Sequence, residues 1–302
     1  MICREYCDHE ITVPFVMEAA RAQAVKAGLA PNEVVDFAHF FAEQYNPFGD
    51  DLRSRLHTIL PDKYFTKDAQ VVYFPGCVSI YNFPEIIKDT FRIFEAAGID
   101  YISCFDSPIQ CCGFPVSTLG LEEESKKVMA SVAKELSNAK VVISSCPTCA
   151  YLLKSKYPEL GFKLTSKIYH FTEFAWPLLE EGKIKPTNLM KKTVMYHDPC
   201  YLGRYLDVYE QPRKILTEIC REPIAEFSWN KKSSYCCGGG GGLPTSFATI
   251  ARDITQKRLE EFYEGEPKLL VSACPSCLRS FQKVDDKIEL LDIASVLARS
   301  LK

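Results

Sequence analysis

The sequence predicts an α/β protein made of two pseudo-symmetric halves, each with a parallel-strand core, preceded by a short helical segment. Short apolar runs alternate with helical patterns along the chain, an order typical of parallel strands joined by crossover helices. The same order occurs twice, and each copy places cysteines at matching positions. We therefore divide the chain into a helical N-terminal segment (1–68), a first domain (69–187) and a second domain (188–302).

Each half opens with an apolar run that ends in a turn and a cysteine, over residues 71–77 and 194–200. A second apolar run leads into a CxxC motif in each half, over residues 141–146 and 269–274. Short uninterrupted apolar runs are typical of buried parallel strands. Each half is therefore expected to form a Rossmann-like core with cysteines at the carboxyl ends of strands, where ligands collect in such folds.

Helical patterns fill the intervals between the strands. In the first half Ile87, Phe91 and Phe94 share a helical face, and Gly98 provides a stop. In the second half Pro212 suits a first helical turn. These positions predict one crossover helix after the first strand of each half.

The N-terminal segment also follows a helical pattern. One register contains Val16 together with the alanines at 19, 20, 24 and 27, and residues 46–49 predict a break between helices. Residues 183–192 are interpreted as the linker between the two halves. The segment therefore lies outside the duplicated unit.

Composition excludes several classes of protein. The 302 residues carry a net charge of −3 with no cluster of basic residues, which argues against nucleic-acid binding. The first residues lack the apolar run of a signal peptide, and no stretch reaches the ~18 apolar residues of a membrane span. We therefore expect a cytoplasmic protein, in which abundant cysteines indicate metal or redox chemistry more than disulfides.

Ten of the fourteen cysteines form two copies of one pattern, in which a single cysteine is followed by an adjacent pair and a CxxC motif. The first motif is Cys77, Cys111, Cys112, Cys146 and Cys149, and the second motif is Cys200, Cys236, Cys237, Cys274 and Cys277. Five thiols exceed the four that a tetrahedral zinc or an ordinary four-cysteine cluster requires. Structural zinc, a disulfide framework and a thioredoxin-like motif leave this pattern unexplained, so iron–sulfur ligation is the preferred interpretation.

A run of five glycines, residues 238–242, follows the adjacent cysteine pair of the second motif, whereas the first motif has only Gly113 there. The run forms either a flexible loop or a close backbone approach to a bulky inorganic group, with N–H donors directed at sulfur. We assign Gly238, Gly239 and Gly240 to cofactor binding. The second motif is accordingly expected to leave more room for a substrate than the first.

These motifs resemble the cysteine-rich CCG domains found in the B-type and D-type subunits of heterodisulfide reductase. Residues 198–204 and 236–242 are especially similar to the D-type subunit, and the resemblance covers residues 70–302. It implies a noncubane 4Fe-4S cluster, made of two fused 2Fe-2S-like halves, on each five-cysteine motif. It further implies an oxidoreductase that cleaves a disulfide lying between the two clusters with two electrons, or runs the reverse thiol oxidation.

The resemblance also implies a multi-subunit complex. Its expected members are a ferredoxin-like subunit of the C type and a flavin subunit of the A type, or a membrane anchor subunit that would bring this cytoplasmic chain to a membrane. The substrate would be a disulfide of small thiols or of a partner protein. The alternative is an electron-transfer CCG subunit of a flavin-linked complex that oxidises 2-hydroxy acids or glycerol phosphate and binds no disulfide.

One departure from the D-type subunit concerns its ferredoxin-type module, which carries two sets of four cysteines before the CCG domains. Only Cys3 and Cys7 are present at the corresponding place, and two thiols cannot hold a cubane cluster alone. We interpret the segment as a degenerate remnant of the module. Ligation completed by another chain and a shortened start are the alternatives.

Five further positions carry expectations. His197 is a candidate proton donor to a departing thiolate, or a residue that hydrogen-bonds beside the cluster. Arg204 is a candidate for binding an anionic substrate group, or a partner of Asp207. His170, aligned with Leu290 in the repeat, is expected to be a packing residue. Two cysteines outside the motifs, Cys104 and Cys220, are expected to be buried apolar residues.

Overall fold

The computed structural model describes residues 2–9, 11–67 and 69–301, and it confirms the predicted α/β fold class. Two four-stranded parallel sheets follow an N-terminal helical segment. Within the described residues, no helix combines the length and the apolar character that a membrane crossing requires.

The described part of the N-terminal segment contains four α-helices and a short 3-10 helix, Asp62–Tyr64. The α-helices are α1 (Ile2–Glu5), α2 (Val13–Lys26), α3 (Asn32–Gln44) and α4 (Leu52–Ile59). The break predicted at residues 46–49 is confirmed between α3 and α4. The predicted apolar face of α2 is wrong, because Val16 is exposed and Ala22 is the buried residue of the helix. Ala22 packs so close to Gly120 that a Cβ on that glycine would come within 2.6 Å of the Ala22 nitrogen.

The first half alternates strands and helices as predicted. Its elements are β1 (Val71–Tyr73), α5 (Cys77–Asn82), α6 (Pro84–Ala96), β2 (Ile102–Cys104), α7 (Phe114–Leu119), α8 (Glu122–Glu135), β3 (Val141–Ser144), α9 (Pro147–Tyr151), α10 (Tyr157–Glu159), β4 (Lys167–His170) and α11 (Phe171–Glu180). A π-helical segment, Leu152–Lys156, joins α9 to α10. The expected apolar face of α6 is buried, and Gly98 follows its end with φ +69°.

The second half repeats this order with longer loops. Its elements are β5 (Val194–His197), α12 (Glu210–Ile219), β6 (Ala225–Glu226), α13 (Leu243–Ser246), α14 (Ala248–Glu264), β7 (Leu269–Ser272), α15 (Pro275–Val284), β8 (Leu290–Asp292) and α16 (Ile293–Ser300). A π-helical segment, Tyr201–Tyr205, follows β5 and takes the place that α5 has in the first half.

Both sheets have the same strand order. It is β2-β1-β3-β4 in the first half and β6-β5-β7-β8 in the second, with all neighbours parallel. The chain reverses its direction of winding between β1 and β3, and between β5 and β7. In open parallel sheets this reversal opens a crevice at the carboxyl ends of the strands. Each half therefore offers one such crevice.

The two halves are interlocked through their helices. Helix α11 of the first half packs against α12 of the second, and α16 of the second packs against α6 of the first. The same exchange occurs beside the crevices, where α9 packs on the π-helical segment 201–205 and α15 packs on α5. The main hydrophobic core contains residues from both halves, so they share one core.

The last strand of each half shows a register that differs from the predicted alignment. Ser144 on β3 pairs with His170, and Ser272 on β7 pairs with Asp292, so His170 corresponds to Asp292 and the match with Leu290 is wrong. Both residues cap the following helix, since His170 Nδ1 and Asp292 Oδ1 accept hydrogen bonds from the backbone nitrogens two residues on. The helix-capping position, and not the apolar pattern, therefore defines which residues of the two halves correspond.

Candidate iron-sulfur site

The first cysteine and the CxxC motif of each half lie beside its crevice. Cys77 follows β1 and Cys146 follows β3, the two strands that flank the reversal. Gly76, with φ +76°, precedes Cys77, and a Cβ at Gly76 would lie 3.0 Å from the Sγ of Cys149. Only glycine combines this backbone conformation with so close an approach to a thiol.

All ten predicted cysteines are brought together. Neighbouring thiols perturb each other's pKa in a continuous order, which runs Cys77, Cys111, Cys112, Cys149, Cys146, Cys274, Cys277, Cys237, Cys236 and Cys200. The Sγ atoms of Cys149 and Cys112 are 3.3 Å apart. Equivalent cysteines of the two motifs stand at equal distances from the two ends of this order, and the Cys146–Cys274 contact lies at its centre. The two motifs therefore form one continuous assembly of thiols.

Several thiols of this assembly are held in the form that binds metal. Hydrogen bonds from Cys111 and Cys149 lower the pKa of Cys112 to about 5. The pKa of Cys146 is lowered by Cys149 and Cys274, and that of Cys236 by Cys200 and Cys237. The thiolate is the metal-binding form of cysteine. These contacts therefore favour the thiolate form at Cys112, Cys146 and Cys236.

Backbone donors support the sulfur atoms at equivalent positions in both halves. The Gly113 N–H donates to Cys111 Sγ (3.4 Å), and the Gly238 N–H donates to Cys236 Sγ (3.3 Å). Eight of the ten cysteines are buried, and Cys200 and Cys236 are partly exposed. Soft thiolates in buried surroundings, with amide donors to sulfur, fit an iron–sulfur group.

A cavity adjoins each motif. The second-motif cavity has a volume of about 570 Å³ and is lined by Cys200, Cys236, three tyrosines and several basic side chains. The first-motif cavity has a volume of about 240 Å³ and is lined by Cys77, Cys112, Cys146 and Cys149. The site is therefore open to small molecules on both sides.

The glycine run lies between the two motifs. Gly238 contacts the second motif through Cys236, whereas Gly239, Gly240 and Gly242 line the first-motif cavity. Gly241 lines the second-motif cavity. The run thus lines both cavities, whereas the sequence had connected it only with the second motif. The assignment of Gly238, Gly239 and Gly240 to cofactor binding stays a prediction.

His197 is buried at the end of β5. The Arg258 Nε donates to its Nδ1 (3.4 Å), and burial followed by repulsion from Arg258 holds the pKa of His197 well below its usual value. The imidazole is therefore neutral, with Nε2 as its proton-bearing nitrogen. One ring nitrogen lies within 4.8 Å of the Sγ atoms of Cys237 and Cys277. This placement suits a donor to ligand sulfur.

Arg204 lines the second-motif cavity and is buried. Its Nη1 donates to the carbonyl oxygens of Lys232 (3.1 Å) and Ser234 (2.6 Å), which lie just before Cys236 in the chain. No ion pair joins it to Asp207 within the described residues, so the predicted alternative of an Asp207 partner is wrong. The Arg204 Nε is buried and lacks a hydrogen-bond partner there. Arg204 thus supports the loop before Cys236 and keeps one donor available.

A buried charge network beside the second motif escaped sequence reasoning. Arg213 donates to both carboxylate oxygens of Asp198 (2.8 and 2.7 Å) and of Glu226 (2.7 and 2.8 Å). Asp198 also accepts from the Lys231 N–H (2.8 Å). The available signal was an arginine within the apolar register of α12, next to buried Pro212 and before Ile215. The network fixes the turn that carries Cys200.

The remaining cysteines lie in different settings. Cys104 and Cys220 are buried, which confirms the expectation for both. Burial raises the pKa of each of these thiols, and that of Cys220 reaches about 11. Cys3 lines the second-motif cavity together with Cys200 and Cys236, and Cys7 lies one turn beyond α1. The N-terminal segment thus places one further thiol at the mouth of the site.

Comparison with known proteins gives the same picture. The family model of the CCG cysteine-rich domain matches residues 71–154 and 194–282. The D-type subunit of dihydromethanophenazine:CoB–CoM heterodisulfide reductase from Methanosarcina mazei is 30% identical over 99% of this chain and 76% of that protein. The B-type subunit of fumarate reductase (CoM/CoB) from Methanothermobacter marburgensis is 27% identical over 97% of this chain and 60% of that protein. EtfAB:quinone oxidoreductase from Syntrophomonas wolfei is 25% identical over 99% of this chain and 45% of that protein.

Proposed function

The chain belongs to the CCG cysteine-rich domain family, and from this premise we propose that it is the iron–sulfur subunit of a heterodisulfide-reductase-like oxidoreductase complex. The observation that carries the proposal is the continuous assembly of ten thiols, with one cavity on each side. The relatives named above are subunits or enzymes of oxidation and reduction, which supports the same class of reaction.

The proposed cofactors are two noncubane 4Fe-4S clusters, one on each five-cysteine motif. Bound there, the clusters would supply single electrons and iron sites that can take up sulfur. The proposed net reaction adds two electrons and two protons to a disulfide, breaks its S–S bond and releases two thiols. The reverse direction oxidises two thiols to the disulfide. A ferredoxin-like, flavin or membrane-anchor subunit would exchange the electrons.

The chain's own residues have distinct proposed tasks. Arg204 holds the loop before Cys236 and lines the second-motif cavity, where its positive charge would attract an anionic or sulfur atom. His197, neutral and buried, orients the sulfur atoms of Cys237 and Cys277 through its imidazole ring. Because it is buried, its replacement is expected to alter the cluster spectrum as well as the rate.

Iron and inorganic sulfide analysis of anaerobically prepared protein tests the cofactor proposal. We expect about eight irons and eight sulfides per chain, as two 4Fe-4S clusters require. Cys149→Ser and Cys277→Ser should each lose about half of the iron, whereas Cys220→Ser, outside both motifs, should keep all of it. About four irons in the unaltered protein, or zinc in place of iron, would contradict two clusters.

The disulfide proposal is separated from pure electron transfer by a single-turnover experiment. Protein reduced with dithionite, then freed of excess reductant, is mixed with bis(2-hydroxyethyl) disulfide, and the released thiol is counted. Two thiols per two electrons are expected, because the cavities give a small disulfide access to both motifs. If no small or protein disulfide re-oxidises the clusters while a quinone or flavin partner does, the electron-transfer alternative holds.

A further inference from the structure

Two basic side chains of α15 line the first-motif cavity. Arg279 follows Cys277 by two residues, and Lys283 lies one helical turn further. The guanidinium is half-buried, and the ammonium is solvent-exposed at the cavity wall. Arg279 lines this cavity together with Cys77, the first cysteine of the first motif. Both cations therefore face the space that adjoins the first-motif thiols.

Neither cation has an acidic partner in the described part of the chain. Among the described residues, no carboxylate forms an ion pair with Arg279 or Lys283, and the guanidinium has no hydrogen-bond acceptor. Its Nε is fully buried without a partner. Like charges one helical turn apart repel each other, and a buried unpaired donor costs about 1–3 kcal/mol. The arrangement is therefore one that an anion would stabilise.

Aromatic rings hold the guanidinium in place. Arg279 lies over the ring of Phe48 (5.0 Å to its centroid), and Phe48 stacks on Tyr81 (4.2 Å between centroids). A second guanidinium, that of Arg55, lies over Tyr81, 5.1 Å from its centroid. Stacking fixes the guanidinium plane of Arg279 without using its N–H donors. The donors therefore remain available and already oriented.

The repeat itself does not require these cations. Counted from the CxxC motif, the first-half position that corresponds to Arg279 is Tyr151, which packs over Tyr201 and Tyr205 beside the second motif. The position two residues after the CxxC motif is thus aromatic in the first half and cationic in the second. A shared structural role would have preserved the same chemistry in both places. The repeat fold therefore does not explain why position 279 carries a cation.

We propose that Arg279 and Lys283 form a binding site for an anionic oxygen group, such as a carboxylate, phosphate or sulfonate, of a small molecule that enters the first-motif cavity. Arg279 would bind two oxygens of this group through its fork of N–H donors, and Lys283 would add charge at the mouth. Under the proposed function, on which this part rests, the anion belongs to the disulfide and directs its sulfur toward the first motif.

Calorimetric titration of the cluster-loaded protein with three compounds tests the site. Dithiodiglycolate is a disulfide with two carboxylates, adipate has the same length and charges without sulfur, and bis(2-hydroxyethyl) disulfide is neutral. The two dianions are expected to bind about tenfold more tightly than the neutral disulfide, as a bidentate carboxylate contact predicts. In Arg279→Gln the dianions should lose this advantage, while the neutral disulfide is unaffected.

Three further variants provide controls. Lys283→Gln is expected to weaken the dianions about threefold, and Arg279→Lys should retain part of the preference because the charge remains. Arg221→Gln removes an exposed arginine that lines neither cavity and should change nothing. If Arg279→Gln fails to retain iron, the Arg279→Lys and Lys283→Gln results decide the question.

Several results would overturn the site. An unchanged preference in iron-replete Arg279→Gln would do so, as would a failure of the unaltered protein to bind adipate. A shifted cluster midpoint potential in Arg279→Gln, without any change in dianion affinity, would show instead that Arg279 only neutralises the cluster. Adipate bound through Arg279 without re-oxidation of reduced protein by any disulfide would retain the site and refute the proposed function. Turnover of disulfides without adipate binding would refute the site and retain the proposed function.

Discussion

The pairing of Arg213 with Asp198 and Glu226 gives the second motif a rigid side that the first motif lacks. The Arg213 and Asp198 side chains are only 10% and 4% exposed, so the charges are largely removed from water. Such a pair contributes little against an apolar substitute, but removing one member leaves a buried charge without a partner. The residue that corresponds to Asp198 in the first half is Pro75.

Arg213→Met is expected to destabilise the protein by about 3–5 kcal/mol, because Asp198 would stay buried and unpaired. Anaerobic guanidinium unfolding followed by circular dichroism measures this loss. Lys214→Met, the neighbouring but exposed cation, should cost less than about 1 kcal/mol. Equal losses in the two variants would show that the network does not stabilise the turn at Cys200.

The buried carboxyl group of Asp292 makes the free energy of unfolding depend on pH. Burial is the main cause that raises its pKa from 3.8 to about 8, and its Oδ2 has no partner among the described residues. Between these pH values the folded chain keeps this proton and the unfolded chain releases it. The free energy of unfolding should therefore fall by a few kcal/mol as the pH rises from about 4 to about 8.

Asp292→Asn is expected to remove this part of the pH slope, because the amide stays neutral and its oxygen can still accept from the Ala294 N–H. The variant should be more stable than the unaltered protein at pH 8 and similar near pH 4. Unfolding midpoints at a series of pH values provide the measurement. Parallel slopes for the two proteins would contradict a protonated Asp292.

For single residues, the sequence predicted those whose role shows in their spacing along the chain. The ten cysteines were recognisable because two copies with matching intervals are not produced by local structure. Arg213 and Arg279 were not recognisable, because their roles depend on Asp198 and on the first-motif thiols, which only the tertiary fold brings near. Arg204 was selected, but its contacts to backbone carbonyls carry no sequence signal.

Among the elements, the glycine run is the one whose geometry is most restrictive. A Cβ at Gly239 would lie 2.2 Å from the Ser280 Oγ and 2.9 Å from the Ser276 carbonyl oxygen, both on α15. At Gly240 the nearest atom would be 3.9 Å away, and neither residue has a positive φ. Adjacent glycines of the same run therefore differ only in the space around them.

Gly239→Ala is expected to displace the run from α15 and to reduce the iron content, because the backbone carbonyl of Ser276 cannot move aside as a side chain can. Gly240→Ala should bind iron as the unaltered protein does, and it is the matched control. Iron per chain and the visible spectrum of both variants test this difference. Full iron content in Gly239→Ala would show that α15 can shift at a small cost in free energy.

The elements show where sequence patterns suffice and where they fail. The buried strands β1, β3, β5 and β7 were predictable from apolar runs, because parallel strands are covered on both faces. The buried face of α2 was not, since this short-side-chain helix docks through backbone proximity at Gly120. The alignment of β8 failed because cap residues of different type, His170 and Asp292, occupy the same position.

For the whole molecule, the exchange of helices between halves predicts mutual dependence in folding. Each half covers its own sheet partly with a helix that packs on the other half, so a separated half would expose apolar surface. Residues 1–187 and 188–302, produced together as two chains, are expected to co-purify in equal amounts and to bind iron. Each produced alone should be insoluble or molten.

Size-exclusion chromatography and iron analysis of the co-produced fragments provide the measurement. The control is the same cut placed inside α11, at residues 175 and 176, which should abolish assembly because it severs a helix of the shared core. A soluble, monomeric single half with a full complement of about four irons would contradict mutual dependence.

The central Cys146–Cys274 contact and the reciprocal helix packing also bear on ancestry. An interface in which each half offers the other the same helices is the kind formed by two identical subunits about a twofold axis. The simplest ancestor is a homodimer of a single cysteine-rich domain, joined later by gene duplication and fusion. Fusion released the two copies from identity, so that one copy could carry Arg279 where the other carries Tyr151.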